Sequence, residues 1–246
     1  MNGLKNIKKM LNIAKHRLVM GSIIRDIYND VSISSLLGFK GGTCAYFFYG
    51  LPRFSVDLDF DLLIKDKENE VFIFEKIKNI LKKYGDIKDS FIKSNTIFNV
   101  LSYGPSDHNI KIEISTRETA TNIKDLYELK EHIGVFALVA KQDYLFASKL
   151  AALTSRPNIA SRDIYDVWHF AKNGWGINDE VVKKMVNKTV EEQLSKSILL
   201  IENLPNEQIL AGLGELLNQK EKNWAKNNLK TEAIFALKNY AFAIKK

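Results

Sequence analysis

Ten residues constrain the fold of this chain more than any others: Ser55-Val56-Asp57-Leu58-Asp59-Phe60-Asp61-Leu62-Leu63-Ile64. Polar and apolar side chains alternate strictly from Ser55 to Asp61, the period of a β-strand with one face in a core. Val56, Leu58, Phe60 and Leu62 supply the apolar face. Asp57, Asp59 and Asp61 then project the same way, roughly 6.5–7 Å apart per pair. Carboxylates in a row repel one another, and the arrangement persists where water screens them or a cation neutralises them. The pattern predicts a central strand that shows either a plain solvated face or a cation site.

The rest of the chain supplies what packs around that strand. Leu4, Ile7, Met10, Leu11, Ala14 and Leu18 recur at helical spacing, which predicts one or two amphipathic helices over residues 4–30. Val31 to Leu37 continues as helix until Gly38 ends it, and a second, glycine-led helix runs from Phe39 to Tyr49. Residues 68–84 return to helical spacing. Phe91–Val100 and Asn109–Ser115 alternate as strands, with hairpin residues Gly104 to Asn109 between them. Beyond residue 141 the pattern is helical over 141–154, 161–173, 178–202, 206–218 and 220–244, broken at Pro157, Gly174-Trp175-Gly176 and Pro205. The expected class is α+β: an α/β domain over residues 1–140, with helices flanking a small mixed sheet, then a helical bundle over residues 141–246. Trp224, Phe235, Tyr240 and Phe242 read as bundle core.

Composition narrows the function classes. The single cysteine, Cys44, excludes an intramolecular disulfide, and none of the four histidines pairs with it at a zinc-like spacing. No apolar run reaches the roughly 18 residues of a membrane span. The first twenty residues carry lysines throughout and no apolar h-region, so a cytoplasmic, membrane-free protein is expected. A net charge of +7 favours polyanionic partners such as nucleotides or nucleic acid, although lysine-rich solvation explains it equally well. The same choice applies to the lysines at 220, 222, 226, 230, 238, 245 and 246.

Three further features bear on a phosphate ligand. Gly41-Gly42-Thr43 lies just before the acidic strand; glycine permits positive φ and close backbone approach, and a following helix N-terminus offers free N–H groups. Glu113 is a lone acid in an apolar strand, between Ile112 and Ile114. If that strand lies beside 56–62, three carboxylates converge, and such a patch can hold Mg²⁺ ions on a triphosphate. Lys149 and Arg156 are seven apart and share a helix face, as do Asp163 and Asp166 three apart. Two cations beside carboxylates suit a polyphosphate. The alternative is salt bridging of Arg156 or Arg162 to Asp163 or Asp166.

Together, Lys40-Gly41-Gly42-Thr43 and Arg53-Phe54-Ser55-Val56-Asp57-Leu58-Asp59-Phe60 resemble the opening motif of the polymerase-beta-type nucleotidyltransferases, and within them the AbiEii/AbiGii toxin family. Lys149-Leu150-Ala151-Ala152-Leu153-Thr154-Ser155-Arg156 is similar to that family's second block, and Arg162-Asp163-Ile164-Tyr165-Asp166-Val167 to its third. The resemblance implies a polymerase-beta-like core and roles for individual positions. Asp57 and Asp59 would bind the catalytic metal, Mg²⁺ or Mn²⁺, with Glu113 on the third-carboxylate strand. Gly41, Gly42 and Thr43 would face the triphosphate, with Arg53, Ser55, Lys149 and Arg156 also on the nucleotide side. Lys149 would neutralise phosphate charge, and Asp166 would orient Lys149 or the substrate. Arg53, Arg156 and Arg162 are candidate phosphate or RNA contacts.

The implied activity is transfer of NMP from an NTP to a hydroxyl acceptor, with RNA and in particular the tRNA 3′ end expected. Such an enzyme would be the toxin of a toxin–antitoxin pair whose antitoxin is encoded separately. Two alternatives differ in class: a non-catalytic nucleotide- or RNA-binding regulator, and nucleotidylation of a protein or small molecule on the same fold.

Overall fold

A computed structural model describes residues 11–244, so the helical spacing at Leu4, Ile7 and Met10 lies outside the described residues, as do Lys245 and Lys246. In chain order the elements are α1 Ile13–Asn29, β1 Leu37–Lys40, α2 Gly41–Tyr49, β2 Leu58–Leu62, α3 Lys67–Leu81, β3 Asp86–Lys93, β4 Thr96–Ser102, β5 Ile110–Ser115, β6 Tyr127–His132 and β7 Val135–Ala140. Then follow α4 Gln142–Ser155, α5 Ser161–Lys172, α6 Asp179–Val186, α7 Val190–Glu202 and α8 Gln219–Ala243. The class is α+β, as the alternation of periods predicts. The chain divides into two compact units. A sheet unit takes in the chain up to Tyr49, Ser55–Arg117 and Tyr127–Val139. A helical unit takes in Gly50–Phe54, Glu118–Leu126 and the chain from Ala140 onward.

The sheet has seven strands in the order β3-β4-β5-β2-β1-β7-β6. It is mixed: β2 runs antiparallel to β1 and parallel to β5, and β1 is parallel to β7. The acidic strand therefore lies in the middle. Leu58, Phe60 and Leu62 on β2, with Ile110, Ile112 and Ile114 on β5, are fully buried, while Lys111 and Glu113 between the isoleucines are exposed. This alternation is the physical basis of the sheet: one face sheds water and the other keeps it. Helix α1 buries Met20, Ile23, Ile24 and Ile27, and Asn12 caps its start by accepting from the Lys15 N–H at 3.1 Å.

Several local expectations change. Residues 31–36 form turns rather than a helix, and Gly38 sits within strand β1 instead of ending a helix. The reason is tertiary. Gly38 pairs with Asp61, and a Cβ at Gly38 would come within 2.8 Å of the Tyr127 ring carbon Cδ1. Period-two patterning over 91–100 belongs to the end of β3 and most of β4, separated by a turn. Residues 127–140, which carry no clear period, form the two strands β6 and β7.

Between β6 and β7 the chain turns through Ile133 and Gly134, at φ 49° and 75°. Two consecutive positive φ values suit Asn-Gly far better than a β-branched residue. Ile133 is 85% exposed, so its side chain gains little from packing. Ile133→Asn is expected to stabilise the protein by about 1 kcal/mol through relief of left-handed strain, seen as a raised Tm.

In the helical unit α4 packs on α5, α6 and α7, and α8 packs on α5 and α7. The helix expected over 178–202 is two helices. Asn187 ends α6 in the left-handed region at φ 53°, and Thr189 with Glu192 forms a capping box that starts α7. Residues 206–218 hold only two short 3₁₀ turns, with Gly212 at φ 65° between them. Phe235 and Phe242, expected in the core, are 63% and 64% exposed; α8 buries Ala225, Leu229, Ala233 and Leu237 instead.

Candidate active site

The acidic residues are set by the register of the sheet. Asp59 pairs with Lys40 on one side and Glu113 on the other, so Lys40, Asp59 and Glu113 share a row across β1, β2 and β5. Asp57 and Asp59 are both half-buried, and Glu113 is exposed. The expectation that the Glu113 strand lies beside the acidic strand therefore holds. Asp57 stands one residue ahead of β2, where backbone groups have no ladder partner to fix them. Other contacts take over. Its carbonyl accepts the Thr43 hydroxyl, its carboxylate accepts the Lys111 N–H at 3.3 Å, and the carbonyl of Val56 is bonded to His16 Nε2 at 2.9 Å.

The loop ahead of α2 explains the two glycines. Gly41 has φ 78°, and a Cβ there would lie 2.9 Å from Asp59 Cγ, well inside contact distance. The missing side chain is what lets the Asp59 carboxylate stand against the start of α2. Gly42 is buried, and Thr43 is wholly buried with its hydroxyl committed to the Asp57 carbonyl. Thr43 is thus seen as a brace for Asp57 through its side chain. Gly41→Ala is expected to lower activity far more than stability. The backbone strain amounts to about 1–2 kcal/mol, whereas the new Cβ displaces Asp59 itself. Thermal melting alongside a transfer assay checks this.

The row of three aspartates divides at Asp61. Its side chain is fully buried, ion-paired with Lys40 Nζ at 2.7 Å, and accepts the Tyr127 hydroxyl at 2.6 Å. Burial with two strong partners makes it a structural anchor. Asp57 and Asp59 are left as the half-buried pair. No signal in the sequence separates Asp61 from its neighbours, because its partner Tyr127 lies 66 residues away.

Within the helical unit the second and third motif blocks meet one another, with Arg53. Arg53 is 1% exposed and forks onto Asp166, Nε to Oδ1 and Nη2 to Oδ2, both at 2.6 Å. Its third nitrogen donates to the Phe54 carbonyl at 2.9 Å. Lys149 Nζ lies 2.8 Å from Asp166 and 2.9 Å from Asp163, and Arg156 reaches Asp163 at 2.5 Å. Asp163 and Asp166 are fully buried. Burial alone would raise the Asp166 pKa, but Arg53 and then Lys149 outweigh it and hold the carboxyl below its ordinary value. Lys149 is held above its usual value: burial opposes this, and Asp163 and Asp166 overcome it. The salt-bridging alternative thus describes Arg156 with Asp163, and it extends to Arg53 and Lys149. Arg162 and Ser55 are half-buried.

Asp57 and Asp59 fit a hard divalent cation. They offer oxygen donors only, and Gly41 clears space against Asp59. Among the described residues no three His, Cys, Asp or Glu side chains are gathered to hold a metal by themselves. Mg²⁺ ordinarily takes one or two carboxylates and completes its shell with water and substrate phosphate oxygens, so two protein carboxylates suffice. The sequence alone does not mark His16, whose Nε2 holds the Val56 carbonyl, as part of this site. Its signal is a lone polar residue in the buried stripe His16, Met20, Ile23, Ile24, Ile27 of α1. Burial holds its pKa below the ordinary histidine value.

A family profile described as "Nucleotidyl transferase AbiEii toxin, Type IV TA system" matches residues 25–233. No curated protein sequence matches the chain. Among solved structures, JHP933 from Helicobacter pylori is similar in fold, with a TM-score of 0.53 at 18% identity over 96% of this chain and 98% of that one. MenT4, a nucleotidyltransferase toxin from Mycobacterium tuberculosis H37Rv, gives 0.54 at 18% identity over 93% and 91%. A putative nucleotidyltransferase from H. pylori gives 0.52 at 19% identity over 92% and 96%.

Proposed function

We propose, from the premise that the chain belongs to the AbiEii nucleotidyl transferase toxin family, that Asp57 and Asp59 hold a divalent cation for transfer of NMP from an NTP to an RNA hydroxyl. The observation that carries this reading is the pair itself. Two half-buried carboxylates stand at the start of a central strand, braced by Thr43 and Lys111, with Gly41 keeping space open beside Asp59.

Each residue then has a physical task. Mg²⁺ or Mn²⁺, when bound, supplies charge neutralisation at the triphosphate and acidifies the attacking hydroxyl. Asp57 and Asp59 hold that charge in place, and Glu113, beside Asp59 in the ladder, completes the acidic face. Backbone N–H groups of Gly41 and Gly42 at the start of α2 receive phosphate oxygens. As the acceptor oxygen bonds to the α-phosphorus and its proton passes to solvent, the bond from the α-phosphorus to the oxygen bridging to the β-phosphate breaks and pyrophosphate leaves. For Lys149 the resemblance implies phosphate neutralisation, whereas its pairing with Asp163 and Asp166 favours a positioning role. Its 2.8 Å contact with Asp166 supports the orienting role of that carboxylate. Arg53 and Arg156 have their charges matched by Asp166 and Asp163, which favours a positioning role for both over direct phosphate contact.

The tRNA 3′ end is the acceptor the resemblance favours, and a net charge of +7 supports a polyanionic one. The Type IV toxin–antitoxin family supports a separately encoded antitoxin. Among the described residues no helix is long and apolar enough to cross a membrane. The test is incubation with labelled NTPs, Mg²⁺ and total RNA, comparing the native chain with Asp57→Ala. Label entering RNA only with Asp57 present supports the proposal. Label that enters protein instead, or that is independent of Asp57, overturns it.

A further inference from the structure

We propose that His16 is a positioning residue for the metal-binding carboxylate Asp57, acting through the Val56 carbonyl and locked in turn by Tyr103. The inference rests on the reading of Asp57 as a cation ligand and adds to it the group that aims the ligand. All the residues concerned belong to the sheet unit.

His16 lies on α1, forty residues from Val56, and is fully buried. Its two ring nitrogens are both engaged: Nδ1 with the Tyr103 hydroxyl at 2.7 Å and Nε2 with the Val56 carbonyl at 2.9 Å. A carbonyl oxygen can only accept, so Nε2 carries the proton in this arrangement. In the neutral ring Nδ1 then accepts, and the Tyr103 hydroxyl donates to it. The result is one directed chain, Tyr103 O–H to Nδ1 and Nε2–H to Val56 O. Lys15 of the same helix also reaches the Tyr103 end: its Nζ lies 5.4 Å from the Tyr103 ring centroid and pairs with Asp107 at 2.5 Å in the turn after β4.

What this chain holds is the one stretch of the acidic segment that the sheet does not. The β2–β5 ladder begins at Leu58, so the peptide between Val56 and Asp57 has no strand partner. Its position depends on three contacts from three different elements: His16 on the Val56 carbonyl, Thr43 on the Asp57 carbonyl and Lys111 on the Asp57 carboxylate. Thr43 and Lys111 act on Asp57 directly. His16 sets the peptide plane just before it, and so the direction in which its side chain leaves the backbone. Partners that orient a metal ligand generally matter about 10–100-fold to affinity or rate.

The test uses the full-length protein and two readouts. Mn²⁺ binding without nucleotide is followed by electron paramagnetic resonance, and NMP transfer is followed as kcat and KM separately. His16→Leu and Tyr103→Phe are each expected to weaken Mn²⁺ affinity about 10–100-fold and to lower kcat while KM for NTP holds. His16→Gln, whose amide can donate to Val56 and accept from Tyr103, is expected to recover most of both. Tyr103→Phe removes a single hydroxyl, so it stays informative if His16→Leu fails to fold. Asp57→Ala separates the two claims. If it loses Mn²⁺ and activity while Tyr103→Phe binds and turns over normally, the positioning role is overturned and the metal reading stands. If Asp57→Ala itself binds Mn²⁺ normally, the metal reading fails and this inference with it. Equal losses in His16→Gln and His16→Leu would also overturn it, since they would show a need for the imidazole beyond its two hydrogen bonds.

Discussion

Asp57→Ala is expected to lower NMP transfer on the order of 10³-fold and to leave the melting temperature within about 2–4 °C of the native value. The two parts of this expectation have one cause. A carboxylate that holds a cation at a triphosphate contributes several kcal/mol to the transition state, and each 1.4 kcal/mol is a factor of ten in rate. The same carboxylate contributes little to folding. It lies two residues from Asp59, where a second negative charge is unfavourable in the absence of metal, and its side-chain hydrogen bond from the Lys111 N–H is long, at 3.3 Å. Removing it relieves repulsion about as much as it loses a weak hydrogen bond. A variant that melted far below the native protein would mark Asp57 as structural and undercut the site. Melting curves beside the labelled-NTP assay decide it, and Asp57→Asn, which keeps the acceptor for Lys111, should behave the same way.

Asp166→Ala has the opposite signature: a loss of about 3–5 kcal/mol in stability, or roughly 6–20 °C in Tm, before any effect on chemistry is counted. Arg53 is buried with two of its guanidinium nitrogens on this carboxylate, and Lys149 leans on it as well. Deleting one partner strands a buried charge, which costs far more than the pair contributes. Replacing Arg53 and Asp166 together by apolar residues of similar volume should recover most of the loss, and a double-mutant cycle by urea unfolding reads this directly. The pH dependence follows from the same contacts. The folded-state pKa of Asp166 is depressed below 3.8, so its contribution is complete above about pH 4 and is lost as pH falls through the depressed value. Lys149 works in the other sense: raised above 10.5, its contribution is complete below that pH and fades in strong alkali. Acid unfolding in Asp166→Asn should therefore lack the component that Asp166 gives the native protein below pH 4.

How much of this was legible before the fold was known depends on whether the deciding contact is local. Strand β2 and the helix after Gly41 could be read because alternation and a glycine pair are properties of neighbouring residues. Strand β1 could not. Leu37, Gly38 and Phe39 are all buried, so no alternation marks them, and the glycine that looks like a helix terminator is there to admit the Tyr127 ring. The split between α6 and α7 was written in Thr189-Val190-Glu191-Glu192, a capping box inside a longer helical pattern. At 206–218 the spacing of Leu210, Leu213 and Leu217 suits a helix, but Gly212 in the left-handed region interrupts it.

The candidate site divides along the same line. Residue order alone dictates which residue types are available: two carboxylates at strand spacing, a glycine pair before a helix, and cations and acids at helical spacing in the later blocks. Spacing is enough for that, because a strand or helix turns residue number directly into a shared face. Which of these groups are occupied with one another follows from the folded chain. Asp61 is consumed by Lys40 and Tyr127, and Asp166 by Arg53 and Lys149, while Asp57 is held by Thr43, Lys111 and, through Val56, by His16. Each of those charged or hydroxyl partners lies more than ten residues of sequence from its aspartate, on no period shared with it. A charge finds its partner by distance in space, and that distance exists only once the chain has folded.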